Sequence, residues 1–258
     1  MSNTALITGA SGGIGRELAI LHAKAGGDLI LVARSTQKLR ELKTELEVTY
    51  GIKAHVMPAD LSVSTQVVTL MEQIKEQDLQ VDVLINNAGF GLLGEFSQRS
   101  LDDQLNMIDL NVRALTQLTH LCLPQMIARG SGQILQVSSS ASFLPGPMMA
   151  VYYATKAYVT SFSLAIAEEV KEKGITVTTL CPGPVATNFF KTAGLQAQSV
   201  QQAANSPRKV AEAGYRAMLS GDLEVIDRLP LKLGIKAIVP FIPTSVILKA
   251  SHRFMKQR

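Results

Sequence analysis

Short apolar runs alternate with amphipathic stretches along most of this 258-residue chain. The runs have the length of buried strands, and the stretches between them carry apolar residues at helical spacing. Strands that alternate with helices form a parallel sheet covered on both faces. We therefore predict an α/β fold, a doubly wound Rossmann-type and mostly parallel sheet of seven strands. The predicted strands are 4–8, 28–33, 53–59, 81–86, 133–138, 175–180 and 223–227, and the main predicted helices are 14–25, 36–49, 65–77, 102–128 and 152–173.

The chain has no repeat and no low-complexity linker, so we expect a single domain over residues 1–258. Its first apolar run, 5–7, turns at once into glycines, which fits neither a signal peptide nor a spanning helix. We therefore expect a cytoplasmic protein. Cys122 and Cys181 have apolar sequence neighbours and lack the spacing of metal ligands, so we expect buried thiols and no metal site.

The basic residues are concentrated at the C-terminus. From residue 228 onward the chain has seven Lys and Arg and no Asp or Glu, so the net charge of +4 divides into +7 there and −3 elsewhere. The body carries no basic stripe, which argues against a nucleic-acid partner. Within the tail, 237–248 contains Pro240 and Pro243 and is too short to span a bilayer. It could pack on the fold or against a partner subunit, which we favour, or form a peripheral contact with an anionic membrane.

A glycine-rich turn follows the first predicted strand in the sequence TGASGGIG. Gly9, Gly13 and Gly15 allow a tight turn, close approach to a pyrophosphate, and close packing of strand and helix. The following helix would offer its N-terminus to the phosphates. An ordinary strand-to-helix loop is the alternative. Because no Gly-Lys-Ser/Thr follows, a nucleotide-binding site fits better than an NTP-hydrolysing loop.

The sequence YYATK places Tyr152 and Lys156 one helical turn apart. A free tyrosine has a pKa near 10, and a neighbouring ammonium group favours the phenolate and lowers that pKa. Such a pair can donate or accept a proton when a carbonyl and an alcohol are interconverted. Tyr153 is three residues from the lysine, so helical spacing alone leaves the register open.

Five motifs in order, TGASGGIG, NNAG, QVSSSAS, YYATK and CPGPVAT, resemble the short-chain dehydrogenase/reductase (SDR) family, in its short single-domain NADP-type branch. The resemblance covers about residues 4–190. It implies an oxidoreductase in which Tyr152 is the acid/base, Lys156 binds the nicotinamide ribose, Ser139 orients the substrate oxygen, and Asn111 supports Lys156. We therefore divide the single domain into a cofactor half, about 1–130, and a catalytic and substrate half, about 131–228, followed by the basic apolar tail, 229–258.

Cofactor choice depends on the end of the second strand, where an acidic residue would select NAD. Ala33 occupies that position and Arg34 follows. We therefore expect NADP(H) rather than NAD(H), with Arg34 on the 2′-phosphate; a solvated surface arginine is the alternative. The cofactor-binding residues expected from the motifs and the resemblance are Gly9, Ser11, Gly13, Ile14, Gly15, Arg34, Asp60, Asn87, Ala88, Gly89, Tyr152, Lys156, Pro182, Gly183 and Thr187. Asp60 could also cap a helix, and Asn86 is expected to brace the sheet.

Phe143, Met148, Phe189 and Phe190 are expected to form an apolar substrate pocket for a hydrophobic ketone or acyl group. A 3-oxoacyl thioester reductase is one alternative, since a basic tail would suit an acidic carrier or a CoA phosphate. A catalytically silent NADP-sensing module is another, although all four catalytic residues are present. The family resemblance also implies a homodimer or homotetramer formed through the two long helices.

Overall fold

The strands form one parallel sheet in the computed structural model, which describes residues 3–194 and 204–256 without the side chains of Phe254 and Lys256. Seven strands are arranged in the order β3-β2-β1-β4-β5-β6-β7, and every neighbouring pair is parallel. The predicted α/β fold is therefore confirmed. The strands are β1 Thr4–Thr8, β2 Asp28–Ala33, β3 Ala54–Pro58, β4 Val83–Asn86, β5 Gly132–Val137, β6 Ile175–Leu180 and β7 Glu224–Val225.

Helices connect the strands and cover both faces of the sheet. A π-helical segment, Asp109–Ala114, divides the predicted helix 102–128 into two helices. The α-helices are α1 Gly13–Lys24, α2 Thr36–Tyr50, α3 Ser64–Glu76, α4 Leu101–Ile108, α5 Leu115–Arg129, α6 Ala150–Val170, α7 Phe189–Ala193, α8 Pro207–Ser220, α9 Leu229–Leu233 and α10 Thr244–Lys256.

The core consists of two apolar layers, one on each face of the sheet. Along β1, Ala5 and Ile7 belong to the layer that includes residues of α1, α2 and α8, whereas Leu6 belongs to the layer that includes residues of α3 and α5. Successive side chains of a strand point to opposite faces, so a strand buried on both sides must be apolar throughout. This explains the continuous apolar runs in the sequence.

The order of the strands creates a crevice at one edge of the sheet. The chain moves outward from β1 to β3 and then returns to place β4 on the other side of β1. The connections that follow β1 and β4 therefore leave in opposite directions. In open parallel sheets, ligands bind at this reversal point, beyond the carboxyl ends of the strands.

Four strand predictions extend beyond the observed strands, namely 53–59, 81–86, 133–138 and 223–227. The strand predicted over 133–138 ends at Val137, and Ser138 turns into the interior, where its hydroxyl contacts the Lys156 carbonyl oxygen at 3.0 Å. The strand predicted over 223–227 consists only of Glu224 and Val225. Each strand predicted for the first half of the chain agrees with the structure to within two residues.

A buried polar group joins the centre of the sheet to α5. The Thr119 hydroxyl accepts hydrogen bonds from Asn86 Nδ2 at 3.2 Å and Gln136 Nε2 at 3.0 Å, and donates to the Leu115 carbonyl at 2.8 Å. All three side chains are buried. Asn86 therefore braces the sheet, as expected from the sequence.

The free Cys122 and Cys181 thiols are both buried, as predicted. Among the described residues, no helix is long and apolar enough to cross a membrane.

We predict that Thr119→Val lowers the free energy of unfolding by about 2–4 kcal/mol, because two buried amide donors lose their acceptor. Thr44→Val is the matched control, since exposed Thr44 makes a similar bond to the carbonyl four residues earlier but, within the described part of the chain, receives no side-chain donor. It should change stability by less than about 0.5 kcal/mol. Urea unfolding measures both. Equal effects would show that the bonds to Asn86 and Gln136 contribute nothing.

Candidate functional site

A cleft of about 780 Å³ lies at the carboxyl edge of the sheet, where the strand order reverses. Its wall takes residues from the segments that follow β1 through β6. This volume falls within the usual range for ligand sites. Each of the segments that follow β1 to β6 contributes different side chains to the wall.

The β1–α1 turn forms one end of the cleft. Gly9 and Gly13 have φ angles of +66° and +56°, which side-chain-bearing residues rarely adopt. A Cβ on Gly9 would lie 2.7 Å from Asn87 Nδ2, and one on Gly13 would lie 3.0 Å from Thr187 Cγ2. The turn is therefore held close to the β4 end, with the N-terminus of α1 facing the cleft. Ser11 and Ile14 also line the cleft.

Gly15 does not line the cleft, in contrast to the expectation that it binds cofactor directly. It is buried in the first turn of α1, and a Cβ there would clash with the Gly9 carbonyl oxygen. Its role is close packing of helix and strand, as the glycine pattern also predicted.

Two exposed cations lie beside the cleft after β2. Arg34 and Lys38 both line it, and within residues 3–194 and 204–256 neither has an ion pair or hydrogen bond through its side chain. No acidic residue follows Val32 in this connection. Sequence analysis missed Lys38, although it lies four residues after Arg34 in the first turn of α2.

The loops after β3 and β4 form the adjoining wall. Asp60 Oδ1 accepts hydrogen bonds from the Ser62 amide at 3.1 Å and its hydroxyl at 2.7 Å. Because Val63 precedes the first residue of α3, the alternative that Asp60 caps this helix is wrong. Thr8 Oγ1 accepts hydrogen bonds from the Asn87 and Ala88 amides at 2.9 Å each, which fixes this wall to β1. Gly89 completes it.

Tyr152, Lys156 and Ser139 meet at the centre of the cleft. Tyr152 and Lys156 are buried on α6, and the Lys156 Nζ lies 6.0 Å from the centroid of the tyrosine ring. Nζ donates a hydrogen bond to the Val137 carbonyl at 2.8 Å. The Ser139 hydroxyl accepts from the Ala141 amide at 3.1 Å at the start of a short 3₁₀ turn. The end of β5 thus holds both the serine and the lysine in place.

Asn111 lies behind this group, in the π-helical segment. Its Oδ1 accepts from the Phe90 amide at 3.1 Å, and its Nδ2 donates to the Phe90 carbonyl at 2.9 Å and to Thr155 Oγ1 at 3.1 Å. It therefore joins the loop after β4 to α6. It lies close to Lys156 across Gly89, where a Cβ would be 3.0 Å from Asn111 Oδ1 and 3.4 Å from Lys156 Nζ.

Burial is the largest cause of the pKa shifts of Tyr152 and Lys156. It raises the pKa of the Tyr152 phenol to about 12, against the opposing effect of a hydrogen bond with Ser139. It lowers the pKa of the Lys156 ammonium group to about 8. In the protein alone, the pKa of the Tyr152 phenol thus shifts in the direction opposite to the lowering expected from a neighbouring ammonium group. Loss of water around the buried phenol is the largest cause of this shift.

Two of the four predicted substrate residues line the cleft and two do not. Phe189 and Phe190 form part of its wall. Phe143 instead packs beside Cys181 and Ile226, with Lys236 Nζ 4.6 Å from its ring centroid. Met148 is also off the wall. It packs instead against the apolar cluster that contains Met149, Tyr152 and Phe190.

Other apolar residues complete this end of the cleft. Leu144 and Met149 come from the segment before α6, and Leu231, Ile235 and Met255 come from the C-terminal segment. Sequence analysis missed the last three, although Leu231 and Ile235 have the i, i+4 spacing of one helix face. Pro182, Gly183 and Thr187 lie on the wall after β6, as predicted.

Among the described residues, no group of three or more His, Cys, Asp or Glu side chains could hold a metal ion. The polar groups at the centre of the cleft are a phenol, an ammonium group and a hydroxyl, with the Asn111 amide behind them. These can bind a carbonyl oxygen and transfer a proton to it.

Comparison with known proteins agrees with this arrangement. A family model described as short chain dehydrogenase matches residues 3–198. The very-long-chain 3-oxoacyl-CoA reductase of Rattus norvegicus is 34% identical over 195 residues, which cover 72% of this chain and 61% of the rat protein. The 17-beta-hydroxysteroid dehydrogenase type 3 of Homo sapiens is 34% identical over 195 residues, which cover 74% of this chain and 62% of the human protein. The match thus spans about six-tenths of each relative.

Among solved structures, a short-chain dehydrogenase from Sphingobium yanoikuyae in complex with NADPH superimposes with a TM-score of 0.83 and 30% identity. The match covers 93% of this chain and 96% of the other. The family match, the parallel sheet and the motifs around the cleft support the same conclusion. The chain belongs to the short-chain dehydrogenase/reductase family of oxidoreductases.

Proposed function

We propose that the chain is an NADP(H)-dependent reductase of a hydrophobic carbonyl compound. The observation that carries this proposal is the convergence of Tyr152, Ser139 and Lys156 at the centre of a cleft with two free cations at one end and apolar side chains at the other.

The residues at the carboxyl ends of β1 and β2 fit NADP(H). The turn at Gly9 and Gly13 leaves no room for a Cβ, so backbone amides can approach a pyrophosphate at the N-terminus of α1. Arg34 and Lys38 would hold the 2′-phosphate, for which charge-assisted hydrogen bonds are strong. The S. yanoikuyae relative bound to NADPH supports this choice.

The buried tyrosine is suited to reduction. When bound, NADPH supplies the hydride that reduces a carbonyl carbon. With a pKa of about 12, the Tyr152 phenol is protonated at neutral pH and can donate its proton to the carbonyl oxygen. The Ser139 hydroxyl would donate a hydrogen bond to the same oxygen and hold it in place. Lys156 would bind the ribose and favour the phenolate that remains after proton transfer. Asn111 would hold the loop after β4 in a fixed position against α6 through its hydrogen bonds to Phe90 and Thr155.

The substrate end of the cleft favours an apolar ligand. Phe189, Phe190, Met149, Ile235 and Met255 bring no charge to it. The two curated relatives are named for 3-oxoacyl-CoA and hydroxysteroid substrates, both of which carry large apolar groups.

A 3-oxoacyl thioester is a narrower candidate within the same chemistry. It is favoured by the identity to the rat reductase and by exposed Lys232 beside the cleft residue Leu231. Turnover of free ketones with none of 3-oxoacyl thioesters would exclude it.

Self-association is also part of the proposal. Helices α4 and α6 expose large apolar side chains, notably Leu101 and Leu105 on α4 and Tyr158 on α6. Such a surface would suit a homodimer or homotetramer, as the family resemblance implies. The cytoplasmic location stays a prediction from the sequence.

We predict that Tyr152→Phe lowers turnover by about 10²–10⁴-fold, because the proton donor is lost. NADPH oxidation is followed against aliphatic, aromatic, steroid-like and acyl-thioester carbonyls. Tyr158→Phe, an exposed tyrosine on the same helix, is the control and should keep wild-type turnover. Tyr153→Phe tests the alternative register. NADPH binding without turnover of any carbonyl would favour a cofactor-sensing module, and a loss confined to Tyr153→Phe would reassign the acid.

We predict that Arg34→Ala combined with Lys38→Ala weakens NADPH binding by about 100-fold, because two charged partners of the 2′-phosphate are lost. NADH binding should change by less than about threefold. Arg40→Ala, at an exposed residue of α2 away from the cleft, is the control. Calorimetric titration gives both affinities. Equal losses for the two cofactors, or a wild-type preference for NADH, would contradict the assignment.

We predict that the stability of the wild type relative to Lys156→Met rises with pH between about 8 and 10. The pKa of Lys156 is lowered from 10.5 to about 8, so above pH 8 the unfolded chain holds more protons than the folded one. Folding is then favoured by up to about 1 kcal/mol per pH unit. Exposed Lys173→Met is the control. Urea unfolding without cofactor measures the difference, and a pH-independent gap would contradict this account of Lys156.

A further inference from the structure

The C-terminal segment, residues 229–256, has an inner and an outer side. On the inner side, Ile235 and Met255 are buried, and together with Leu231 they line the apolar end of the cleft. These contacts attach the two ends of the segment to the fold. The stretch 237–248, which the favoured sequence interpretation packed on the fold or on a partner subunit, has no buried residue. The contacts at the two ends do not account for the other side.

Large apolar side chains cluster on the outer side. Phe241 is 85% exposed at a turn between the exposed Pro240 and Pro243. Single exposed apolar residues are common on proteins, but a cluster of this size within twenty residues marks an interaction surface. The exposed members are Leu229, Leu233, Ile238, Phe241 and Val246.

Cations are interleaved with these apolar residues. Lys232, Lys249 and Arg253 are exposed, and among the described residues none has an ion pair or hydrogen bond through its side chain. Lys236 is different, because it pairs with Glu224 at 2.8 Å and covers the Phe143 ring. On α10, Val246, Lys249 and Arg253 have the i, i+3, i+7 spacing of one helix face, opposite buried Met255.

We propose that the outer side of the C-terminal segment docks on the surface of an anionic lipid bilayer. Phe241 and the neighbouring apolar residues would enter the headgroup layer, while Lys232, Lys249 and Arg253 contact anionic headgroups. No Asp or Glu follows residue 228, so nothing in this segment repels that charge. A second copy would bring the same positive charge against it, which disfavours self-association through this side.

This docking would place the apolar end of the cleft next to the lipid. Residues on one side of the segment line the cleft, and residues on the other side would contact the membrane. The proposal does not depend on the catalytic assignment, because it concerns binding alone.

Vesicle co-flotation of the full chain tests the proposal. Phosphatidylcholine vesicles with and without phosphatidylserine are compared at low and high salt. Wild type is expected to float with the anionic vesicles and to dissociate at high salt. Lys232→Glu, Lys249→Glu and Arg253→Glu combined should lower partitioning by at least about 100-fold, and Phe241→Ser alone by about tenfold.

Lys53→Glu, Lys171→Glu and Lys173→Glu combined make the same change in net charge at exposed positions elsewhere, and this control should bind like wild type. Thermal unfolding and NADPH titration confirm that each variant is folded. No flotation of the wild type, or equal losses in the two triple variants, would overturn the proposal. So would an oligomer in lipid-free solution that Phe241→Ser dissociates, because the surface would then be a subunit interface.

Discussion

The shared direction of the strands determines where the cleft lies and which loops form most of its wall. Because all seven strands are parallel, their carboxyl ends share one edge of the sheet, and the reversal of order around β1 leaves a crevice there. The glycine turn, Arg34, Ser139 and the wall after β6 come from distant parts of the sequence and meet only because each directly follows a strand. The fold therefore brings together the side chains that give the cleft its chemistry.

Burying Lys156 has a free-energy cost that its position offsets only in part. Removal of the ammonium group from water is unfavourable, and a single bond to the Val137 carbonyl does not restore the ordinary pKa. The same exclusion of water holds Tyr152 in its protonated form. A site that keeps a proton on the phenol and a titratable amine beside it is suited to a reaction that creates negative charge on the substrate oxygen.

Much of the site could be predicted from local sequence, because the positions of residues within one short motif are set by the turn or helix that the motif forms. The glycine turn, the Tyr152–Lys156 spacing and Arg34 all depend on the ends of nearby elements. The pKa of Tyr152 could not be predicted, since it depends on burial by segments far away in sequence. The substrate wall also depends on tertiary packing: Phe143 turns toward Cys181, and Met255 comes in from the far end of the chain.

The central claim is that one cleft directs both a hydride and a proton to the same carbonyl group. The most direct test is reduction of a hydrophobic ketone with NADPH that carries deuterium at both hydrogen positions of nicotinamide C4, with the product analysed by mass spectrometry and chiral chromatography. The account predicts one deuterium per product molecule, on the carbinol carbon and in a single stereochemical configuration. Oxidation of NADPH without deuterium in the product, or incorporation at both faces of the carbon, would contradict it.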